Sequence, residues 1–397
     1  MLTLDKIYQA SYVLKNVLRP TPIIAAPSLN PDCTLYLKPE NLQITGSFKV
    51  RGAAFMISQL SAEEKSRGVI ACSAGNHAQG VALAASKSGI SSLICLPDSA
   101  PISKVEATKG YGASVCLVNG VYDDAYKKAL ELRDEKGYTF VHPFDDENVI
   151  AGQGTIALEI LSELPEVEAV VVPVGGGGLI SGMAFTLKSL RPDIKVYGVQ
   201  ASGAPSMVNS LHDHRIERLP SVSTIADGIA VKEPGPHTFD YCSKYVDDIV
   251  TVTDDEISTA ILALIEKHRL IAEGAGAVSV AATIFNKLPL KGKKVCCLVS
   301  GGNIDVTILS RIISRGLLTS GRSCALCIEL IDKPGQLQDV ARIIAECGGN
   351  VVSVHHERAS EGMDINGCFL RLLLETRNFE HIRQITDALT GAGYHLV

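Results

Sequence analysis

Between residues 69 and 299, short apolar runs alternate with stretches whose apolar positions recur at the helical period. The runs predict strands at 69–71, 92–96, 114–118, 169–174, 196–199 and 294–299, and the stretches between them predict helices at 79–88, 122–136, 152–164, 179–190 and 257–270. Strands that alternate with helices form parallel sheets covered by helices on both faces. Such sheets bind ligands beyond the carboxyl ends of their strands, where loops lead into helices.

The pattern changes near residues 312–322, a segment that contains glycine, serine and arginine. After it we predict a strand at 324–330, a helix at 335–347, strands at 350–357 and 367–375, a helix at 379–392 and a short strand at 394–397. This βαββαβ order is the ferredoxin-like pattern. A unit of this size is too small to be a catalytic body, and it lies where a regulatory module can be appended.

The composition narrows the class of protein. The chain has 397 residues, of which 46% are hydrophobic and 20% charged, and its formal net charge is −6. That balance is typical of a globular protein of two or three domains, and it gives no basic surface for nucleic acid or anionic lipid. The longest uncharged stretch, 169–187, contains Pro173 and four consecutive glycines, so we predict a strand, a loop and a helix rather than a membrane span.

Cysteine usage and the N-terminus both favour the cytoplasm. The N-terminus has no basic region followed by an apolar run, so no signal peptide is expected. The eleven cysteines have no regular spacing and are interpreted as reduced residues. Cys324 and Cys327 form the one C-x-x-C pair, but positions three apart in a strand face opposite sides of a sheet. Because no other Cys/His cluster has zinc-ligand spacing, we expect no metal site.

A candidate nucleophile, Lys49, lies in Gly46-Ser-Phe-Lys-Val-Arg-Gly52, before an apolar run at 53–60 that predicts a helix. A lysine in such a place can be desolvated, lose its proton and form a Schiff base with an aldehyde. The alternative is a solvated lysine in a Gly-Ser turn. The motif alone leaves both interpretations open.

Four consecutive glycines, Gly175, Gly176, Gly177 and Gly178, are followed by Leu179 and join a predicted strand to a predicted helix. Residues without Cβ let backbone N–H groups approach an anion, and the helix N-terminus adds a favourable dipole. The segment fits neither the P-loop pattern nor a clean G-x-G-x-x-G turn. The alternative is a tight turn, but four glycines are costly in backbone entropy, so we predict a phosphate-binding loop.

A second loop, Ser73-Ala74-Gly75-Asn76-His77, joins the predicted strand at 69–71 to the predicted helix at 79–88. By the same reasoning its backbone amides can bind a substrate carboxylate. The Asn76 side chain can donate a hydrogen bond to a ring hydroxyl or phenolate. The alternative is an ordinary N-cap loop, and His77 alone is typical of a structural residue.

A third loop, Ser300-Gly-Gly-Asn303, follows the predicted strand at 294–299, so Ser300 faces the ligand crevice. A neutral hydroxyl opposite a pyridine nitrogen does not hold the ring fully protonated, as a carboxylate would. The ring is then a weaker electron sink, which disfavours transamination and favours β-elimination. The alternative is an ordinary Ser-Gly-Gly turn.

In this order, the motifs S-F-K-x-R-G, S-A-G-N-H-A-Q-G, G-G-G-G-L and S-G-G-N resemble those of the tryptophan-synthase-β-like (fold type II) pyridoxal-phosphate enzymes, and among these the threonine ammonia-lyases. The resemblance spans about residues 1–315 and implies an α/β fold of two parallel-sheet subdomains, the smaller at about 50–145 inserted in the larger. After a linker at 316–322, residues 323–397 resemble an ACT domain, with Asp332-Lys-Pro-Gly-Gln-Leu337 opening its helix. The length and the single module resemble the medium-length form of the lyase.

The resemblance implies a carbon–nitrogen lyase with the cofactor pyridoxal 5'-phosphate, which deaminates L-threonine to 2-oxobutyrate and ammonia, and L-serine to pyruvate as a secondary activity. Lys49 would bind the cofactor covalently and abstract the Cα proton. Asn76 would contact the pyridoxal 3-oxygen and Ser300 the ring nitrogen. Residues 175–179 would hold the phosphate, and residues 73–77 the substrate carboxylate.

The resemblance also implies partners beyond the amino-acid substrate. An amino-acid effector, for which isoleucine and valine are the candidates, would contact residues 332–337 and the adjoining strand of the ACT domain. The alternative for that domain is a purely structural dimerisation sheet. We expect a homodimer or homotetramer that binds neither nucleic acid nor a membrane.

Two departures from the serine racemases separate the enzyme alternatives. Those relatives carry a serine where this chain has Ala74, which cannot return a proton to Cα, so we expect poor racemisation. They also bind a divalent cation through two carboxylates, and Gln200 and Ser206 stand at the matching positions. Glu273, in Ala272-Glu-Gly-Ala-Gly276, falls in a segment that the resemblance places near the cofactor, and no role is assigned to it.

Three alternatives therefore remain beside the lyase: a serine racemase or serine dehydratase of the same fold, another β-replacement enzyme, and a non-catalytic amino-acid-sensing protein. The absence of an obvious second-substrate feature argues against the β-replacement enzyme. The intact Lys49 argues against the sensing protein.

Overall fold

A computed structural model describes residues 2–358 and 366–397 of the chain. The chain divides into two compact units between Asp305 and Val306. Each unit has its own hydrophobic core.

The strands of the first unit are short and form two sheets. They are β1 (Ile24–Ala25), β2 (Thr34–Pro39), β3 (Val69–Cys72), β4 (Ser92–Pro97), β5 (Ser114–Val118), β6 (Thr139–Phe140), β7 (Ala169–Pro173), β8 (Lys195–Ala201), β9 (Asp248–Val252) and β10 (Lys294–Val299). The larger sheet has the order β1-β2-β10-β7-β8-β9, and only its β1–β2 pair is antiparallel. The smaller sheet, β5-β4-β3-β6, is parallel throughout.

Helices alternate with these strands, as the hydrophobic pattern predicts. They are α1 (Leu4–Leu14), α2 (Lys49–Ser58), α3 (Ala62–Arg67), α4 (Asn76–Lys87), α5 (Ile102–Gly110), α6 (Tyr122–Lys136), α7 (Glu147–Glu163), α8 (Gly178–Leu190), α9 (Ser206–His212), α10 (Pro236–Tyr245), α11 (Asp254–Ala263) and α12 (Gly274–Ile284). Every residue of β3 and of β7 is buried, so both faces of each sheet are covered. The predicted α/β class with parallel sheets is confirmed.

Two helices have ends that differ most from the predicted ones. The helix predicted from residue 152 begins at Glu147, because the Asp146 side chain accepts hydrogen bonds from the next turn's backbone N–H groups. The helix predicted at 257–270 is instead α11 followed by a π-helical turn, Leu264–His268. That turn ends at Arg269, whose φ of 60° is left-handed.

All six predicted strands of this region are present, whereas β1, β2, β6 and β9 were not predicted. The clearest miss is β2, T-L-Y-L-K-P, because a lysine followed by proline interrupts its apolar pattern. Lys38 is nevertheless fully buried, since its Nζ lies 2.7 Å from a Glu159 oxygen and 3.1 Å from a Glu163 oxygen on α7. The strand depends on a charge pairing that the local pattern does not contain.

The second unit begins with a helix and continues as the predicted βαββαβ order. Its elements are α13 (Val306–Thr319), β11 (Ser323–Ile331), α14 (Gln336–Glu346), β12 (Asn350–Glu357), β13 (Gly367–Glu375), α15 (Phe379–Gly391) and β14 (His395–Leu396). The antiparallel sheet has the order β12-β13-β11-β14. Alternate residues of β13 are buried and form a core with Ile344, Ile385 and Leu389 of the two covering helices.

The boundary at residue 315 and the linker at 316–322 stay predictions. In the structure α13 extends through this boundary to Thr319, and the second unit begins at Val306. The inserted subdomain at about 50–145 also stays a prediction, although all four strands of the smaller sheet lie between Val69 and Phe140.

Among residues 2–358 and 366–397, no helix is both long and apolar enough to span a membrane. All eleven cysteines are free thiols. One group in the second unit, Asp332, His356 and Cys368, places possible metal-ligand atoms within 4.8 Å of one another. Arg358 lies beside that group, with its Nε 3.0 Å from Asp332 Oδ2, and the expectation of no metal site stays a prediction.

Candidate active site

One cavity of about 780 Å³ in the first unit collects every predicted site residue. Lys49, Ser300, residues 73–77 and residues 175–179 all line it. Three of these segments follow the carboxyl ends of strands: residues 73–77 follow β3, Gly175–Gly178 follow β7 by one residue, and Ser300 follows β10. The parallel topology therefore brings together residues that lie up to 251 positions apart in the sequence.

Lys49 is the first residue of α2, and its side chain faces the cavity. Its Nζ donates a hydrogen bond of 2.8 Å to the Pro143 carbonyl. Burial lowers the pKa of Lys49 to about 8, and the negative charge of Glu273 partly opposes that shift. An amine with this pKa is neutral far more often near pH 7 than an ordinary lysine, and the neutral amine is the nucleophile.

The glycine loop, Gly175–Gly178, packs so tightly that side chains are excluded. A Cβ on Gly176 would lie 2.5 Å from the Phe144 ring, and one on Gly178 would lie 2.6 Å from the Phe144 carbonyl oxygen. Gly177 caps α8 with a left-handed φ of 96°. Thr238 holds the loop in place, because its Oγ1 donates to the Gly176 carbonyl at 2.6 Å. The loop thus presents bare backbone at a helix N-terminus, which is a suitable site for a phosphate.

The loop Ser73–His77 ends at the start of α4, where Asn76 is the first helical residue. Asn76 is linked by hydrogen bonds to Glu273 and to Asn303, both from the larger sheet's side of the cavity. The ring of His77 contacts the Val141 carbonyl oxygen at 2.8 Å, and burial together with the charge of Lys49 lowers its pKa to about 3. His77 is therefore a neutral, buried side chain whose visible contact is to the backbone.

Ser300 is 2% exposed, and its Oγ donates to the Ala275 carbonyl at 3.3 Å. Its own carbonyl accepts a hydrogen bond from Phe48, the residue before Lys49, at 3.1 Å. This bond joins the end of β10 directly to the start of α2. This backbone hydrogen bond therefore holds the segment that carries the Lys49 amine next to the segment that carries the Ser300 hydroxyl.

Ala74 and Gln200 occupy the positions that separate the enzyme alternatives. Ala74 lines the cavity with a methyl group, which donates no proton. Gln200 is fully buried on β8, and its Oε1 accepts backbone hydrogen bonds from Met207 and Val208 at 3.0 Å each. The Gln200 side chain thus acts as a neutral cap of α9.

Several residues of the site have no role that could be assigned from the sequence alone. Glu273 lines the cavity, is 4% exposed, and donates its backbone N–H to Gly301. Burial and the charge of Asp227 raise the pKa of Glu273 to about 7, although the hydrogen bond from Asn76 opposes the shift. Phe144 and Thr238 were also missed, because only the fold places them against the glycine loop.

These groups fit pyridoxal phosphate. The cavity offers a lysine whose pKa is lowered, a glycine loop that excludes side chains at a helix N-terminus, and a neutral hydroxyl, Ser300. The first suits an aldehyde, the second a phosphate and the third a pyridine nitrogen. The assignment of each residue to its part of the cofactor stays a prediction.

Comparison with known proteins agrees with this chemistry. Residues 14–301 match the family described as pyridoxal-phosphate dependent enzyme. The chain is 50% identical over 399 aligned residues to L-threonine ammonia-lyase of Thermotoga maritima, and the match covers 100% of this chain and 99% of the relative.

Two solved structures are similar to most of the chain. Maize serine racemase superposes with a TM-score of 0.75 at 34% identity, covering 80% of this chain and 98% of that one. The processed form of threonine deaminase isoform 2 from Solanum lycopersicum gives a TM-score of 0.74 at 39% identity, covering 79% and 94%. The predicted fold type II architecture is confirmed by these similarities.

Proposed function

The chain belongs to the pyridoxal-phosphate dependent enzymes and, within them, to the threonine ammonia-lyases, and on that premise we propose that it deaminates L-threonine to 2-oxobutyrate and ammonia. L-Serine, which would give pyruvate, is the proposed secondary substrate. The observation that carries the proposal is the full-length similarity to L-threonine ammonia-lyase, which extends through both units of the chain.

The cofactor supplies an aldehyde that bonds to an amine and a ring that withdraws electrons from the substrate's Cα. We assign to Lys49 the covalent attachment and the transfer of the proton at Cα, because its pKa of about 8 leaves it able to accept a proton near neutral pH. The glycine loop would hold the phosphate, and the backbone of the loop Ser73–His77 would hold the substrate carboxylate. Ser300 would offer a neutral hydroxyl to the ring nitrogen, which would favour elimination.

The overall reaction breaks three substrate bonds, Cα–H, Cβ–O and Cα–N, and conserves atoms. The Cα–H bond gives its proton to Lys49, and the Cβ–O bond gives up the hydroxyl, which leaves as water after protonation. The released unsaturated amine tautomerises and takes up one water. Its products are the 2-oxo acid and ammonia, so the net reaction neither consumes nor produces water.

Serine racemase is the second candidate, since the maize enzyme shares the architecture. Racemisation requires a proton donor on the face of Cα opposite the lysine. Ala74, which lines the cavity at the position expected for that donor, has no proton to give. We therefore rank racemisation below elimination.

The test is to incubate the purified full-length protein separately with L-threonine and L-serine, and to measure 2-oxo acid, ammonia and the enantiomers of the remaining amino acid. We expect 2-oxobutyrate and ammonia in equal amounts from threonine, and slower formation of pyruvate from serine. If D-serine accumulates without 2-oxo acid, the chain is a racemase. If threonine is not consumed, the proposed substrate is wrong.

For the second unit we propose an ACT domain that binds an amino-acid effector, isoleucine or valine being the candidates. A cavity of about 400 Å³ lined by residues 330–337, His356 and Arg358 supports this. It combines the Asp332 carboxylate, which suits an ammonium group, with the Arg358 guanidinium, which suits a carboxylate.

A homodimer or homotetramer and a cytoplasmic location are also proposed, the latter because all eleven cysteines are free.

Asp332→Asn should weaken the response to the effector without changing the basal rate. The charge that would hold the effector's ammonium is lost, while the side-chain size is kept. Measuring lyase activity across isoleucine and valine concentrations gives the half-maximal value, which we expect to rise. Asp339→Asn on α14, about half exposed at 52%, is the matched control.

Deletion of residues 323–397 should alter effector sensitivity or oligomeric state, and no change in either would contradict the proposal.

A further inference from the structure

A chain of hydrogen bonds crosses the wall of the cavity and ends on Glu273. The Asn303 Nδ2 donates to the Thr45 carbonyl oxygen at 2.8 Å and to Asn76 Oδ1 at 2.7 Å. The Asn76 Nδ2 then donates to Glu273 Oε1 at 2.6 Å. The four residues come from four separate segments of the sequence.

The first member of this chain fixes the orientation of the rest. A backbone carbonyl such as that of Thr45 only accepts, so the Asn303 atom beside it must be the amide nitrogen. The second N–H of that nitrogen donates to Asn76, so the Asn76 atom that faces Asn303 must be the amide oxygen. The Asn76 nitrogen is left pointing to Glu273, where a carboxylate oxygen accepts its first N–H. One N–H of Asn76 remains for a ligand.

The packing around this chain leaves it little freedom. Glu273 is 4% exposed and is the N-cap residue of α12. A Cβ on Gly301 would collide with Glu273 Oε1, and a Cβ on Gly46 would collide with Asn303 Oδ1. Glycine at both positions makes room for the two side chains. The site is therefore built around the hydrogen-bond chain, which makes an incidental contact a poor explanation.

The polar groups that face Glu273 come from four elements. Burial and the charge of Asp227, on the short 3-10 helix Asp227–Ile229, raise the pKa of Glu273, whereas the hydrogen bond from Asn76 on α4 and the charges of Lys104 on α5 and Lys49 on α2 lower it. The influence of Lys49 is mutual, because the Glu273 charge favours the ammonium form of Lys49. Lys104 and Asp227 also pair with each other, with 2.6 Å between Nζ and Oδ2. Above its pKa of about 7, Glu273 is thus a negative charge that acts on Lys49.

We propose that Glu273 is a positioning residue of this site: it holds the Asn76 amide in the one orientation that leaves an N–H for the cofactor, and it supplies negative charge facing Lys49. This rests on the proposed function only in taking the ligand of Asn76 to be pyridoxal phosphate. Asn303 holds the same amide from its other end and is the second positioning residue.

The experiment measures cofactor binding by the full-length protein from which the cofactor has been removed. Pyridoxal phosphate is titrated into Glu273→Ala, Asn303→Ala and the double variant, giving a dissociation constant for each. For Glu273→Gln, the rate of covalent attachment is followed from pH 6 to 10. Glu131→Gln, on the exposed face of α6, is the control for loss of a carboxylate.

Loss of a charge-assisted hydrogen bond should raise the dissociation constant about tenfold in Glu273→Ala, and loss of a neutral one about fivefold in Asn303→Ala. Because both residues act through Asn76, the dissociation constant of the double variant should rise by less than the product of the two single-variant increases. Glu273→Gln keeps an acceptor for Asn76 but removes the charge. Its attachment rate should therefore rise with pH at a lower midpoint than the wild type's, which is expected at the Lys49 pKa of about 8.

Three results would overturn the positioning role. These are a dissociation constant for Glu273→Ala within about twofold of the wild type, full multiplication of the two effects in the double variant, and an attachment midpoint in Glu273→Gln that is unchanged or higher. If Glu273→Ala fails to fold, the Glu273→Gln midpoint decides alone. A wild-type protein that binds the cofactor but leaves threonine intact would refute the proposed function without affecting this result.

Discussion

Lys49→Ala should lose the yellow colour of the cofactor-bound protein and its threonine-deaminating activity together. Alanine has no amine to bond the aldehyde and no base to take the Cα proton. Because one residue carries both tasks, we expect kcat/KM to fall by about 10⁴-fold or more. The measurement pairs a visible absorption spectrum with steady-state production of 2-oxobutyrate.

The control is Lys87→Ala, which removes an exposed lysine at the end of α4. That variant should keep both the colour and the rate. Added small amines should restore part of the activity of Lys49→Ala if its fold is intact, because they replace the missing base. Full activity in Lys49→Ala without added amine would refute the assignment of Lys49.

Arg51→Met should have the largest effect on stability. The Arg51 side chain is fully buried and lies 2.7 Å from a Glu40 oxygen and 2.6 Å from a Glu159 oxygen. Methionine keeps the volume of the side chain but leaves the fully buried Glu40 carboxylate without its cation. Breaking a buried pair in this way costs about 3–5 kcal/mol. For a unit of this size we expect the thermal midpoint to fall by roughly 5 °C or more.

Two further variants separate charge from geometry in this network. Arg51→Lys retains the charge but loses the paired N–H groups. Its thermal midpoint should therefore lie between those of the wild type and Arg51→Met. Combining Arg51→Met with Glu40→Gln removes the unpaired carboxylate as well and should recover part of the lost midpoint. A thermal midpoint for Arg51→Met equal to that of the wild type would contradict the account.

The network also bears on function, because Arg51 is two residues after Lys49 on the same helix. Glu40 follows β2 and Glu159 lies on α7, so the arginine pins the start of α2 to two other elements. The dissociation constant for the cofactor can be measured in Arg51→Lys at a temperature where the variant remains folded. A rise in that constant would show that the network positions Lys49.

Features of the site that are local in sequence could be predicted, and those that depend on pairing could not. The glycine loop is four adjacent residues between a strand and a helix, so its chemistry is visible in the sequence. Glu273, Asn76 and Asn303 meet only because β3 and β10 belong to sheets that face one cavity. The motif containing Asn303 was recognised, but nothing in it shows that its amide orients Asn76.

The same contrast holds for the fold. β7 is a continuous apolar run, as a strand buried on both faces requires, and it was predicted. β2 was missed because its buried lysine is satisfied by α7, more than a hundred residues further along the chain. In the second unit the order of elements from β11 onwards was predicted, since antiparallel strands with one buried face alternate clearly, as Cys368, Leu370 and Leu372 do, whereas α13 was not predicted.

The covalent attachment of the cofactor to Lys49 is tested by reducing the cofactor-bound protein with borohydride and mapping the modified peptide by mass spectrometry. Reduction converts the carbon–nitrogen double bond between cofactor and lysine into a stable single bond. We predict one modified residue, Lys49, in the peptide that contains Ser47 and Phe48. Attachment to any other lysine, or no attachment in protein that deaminates threonine, would contradict it.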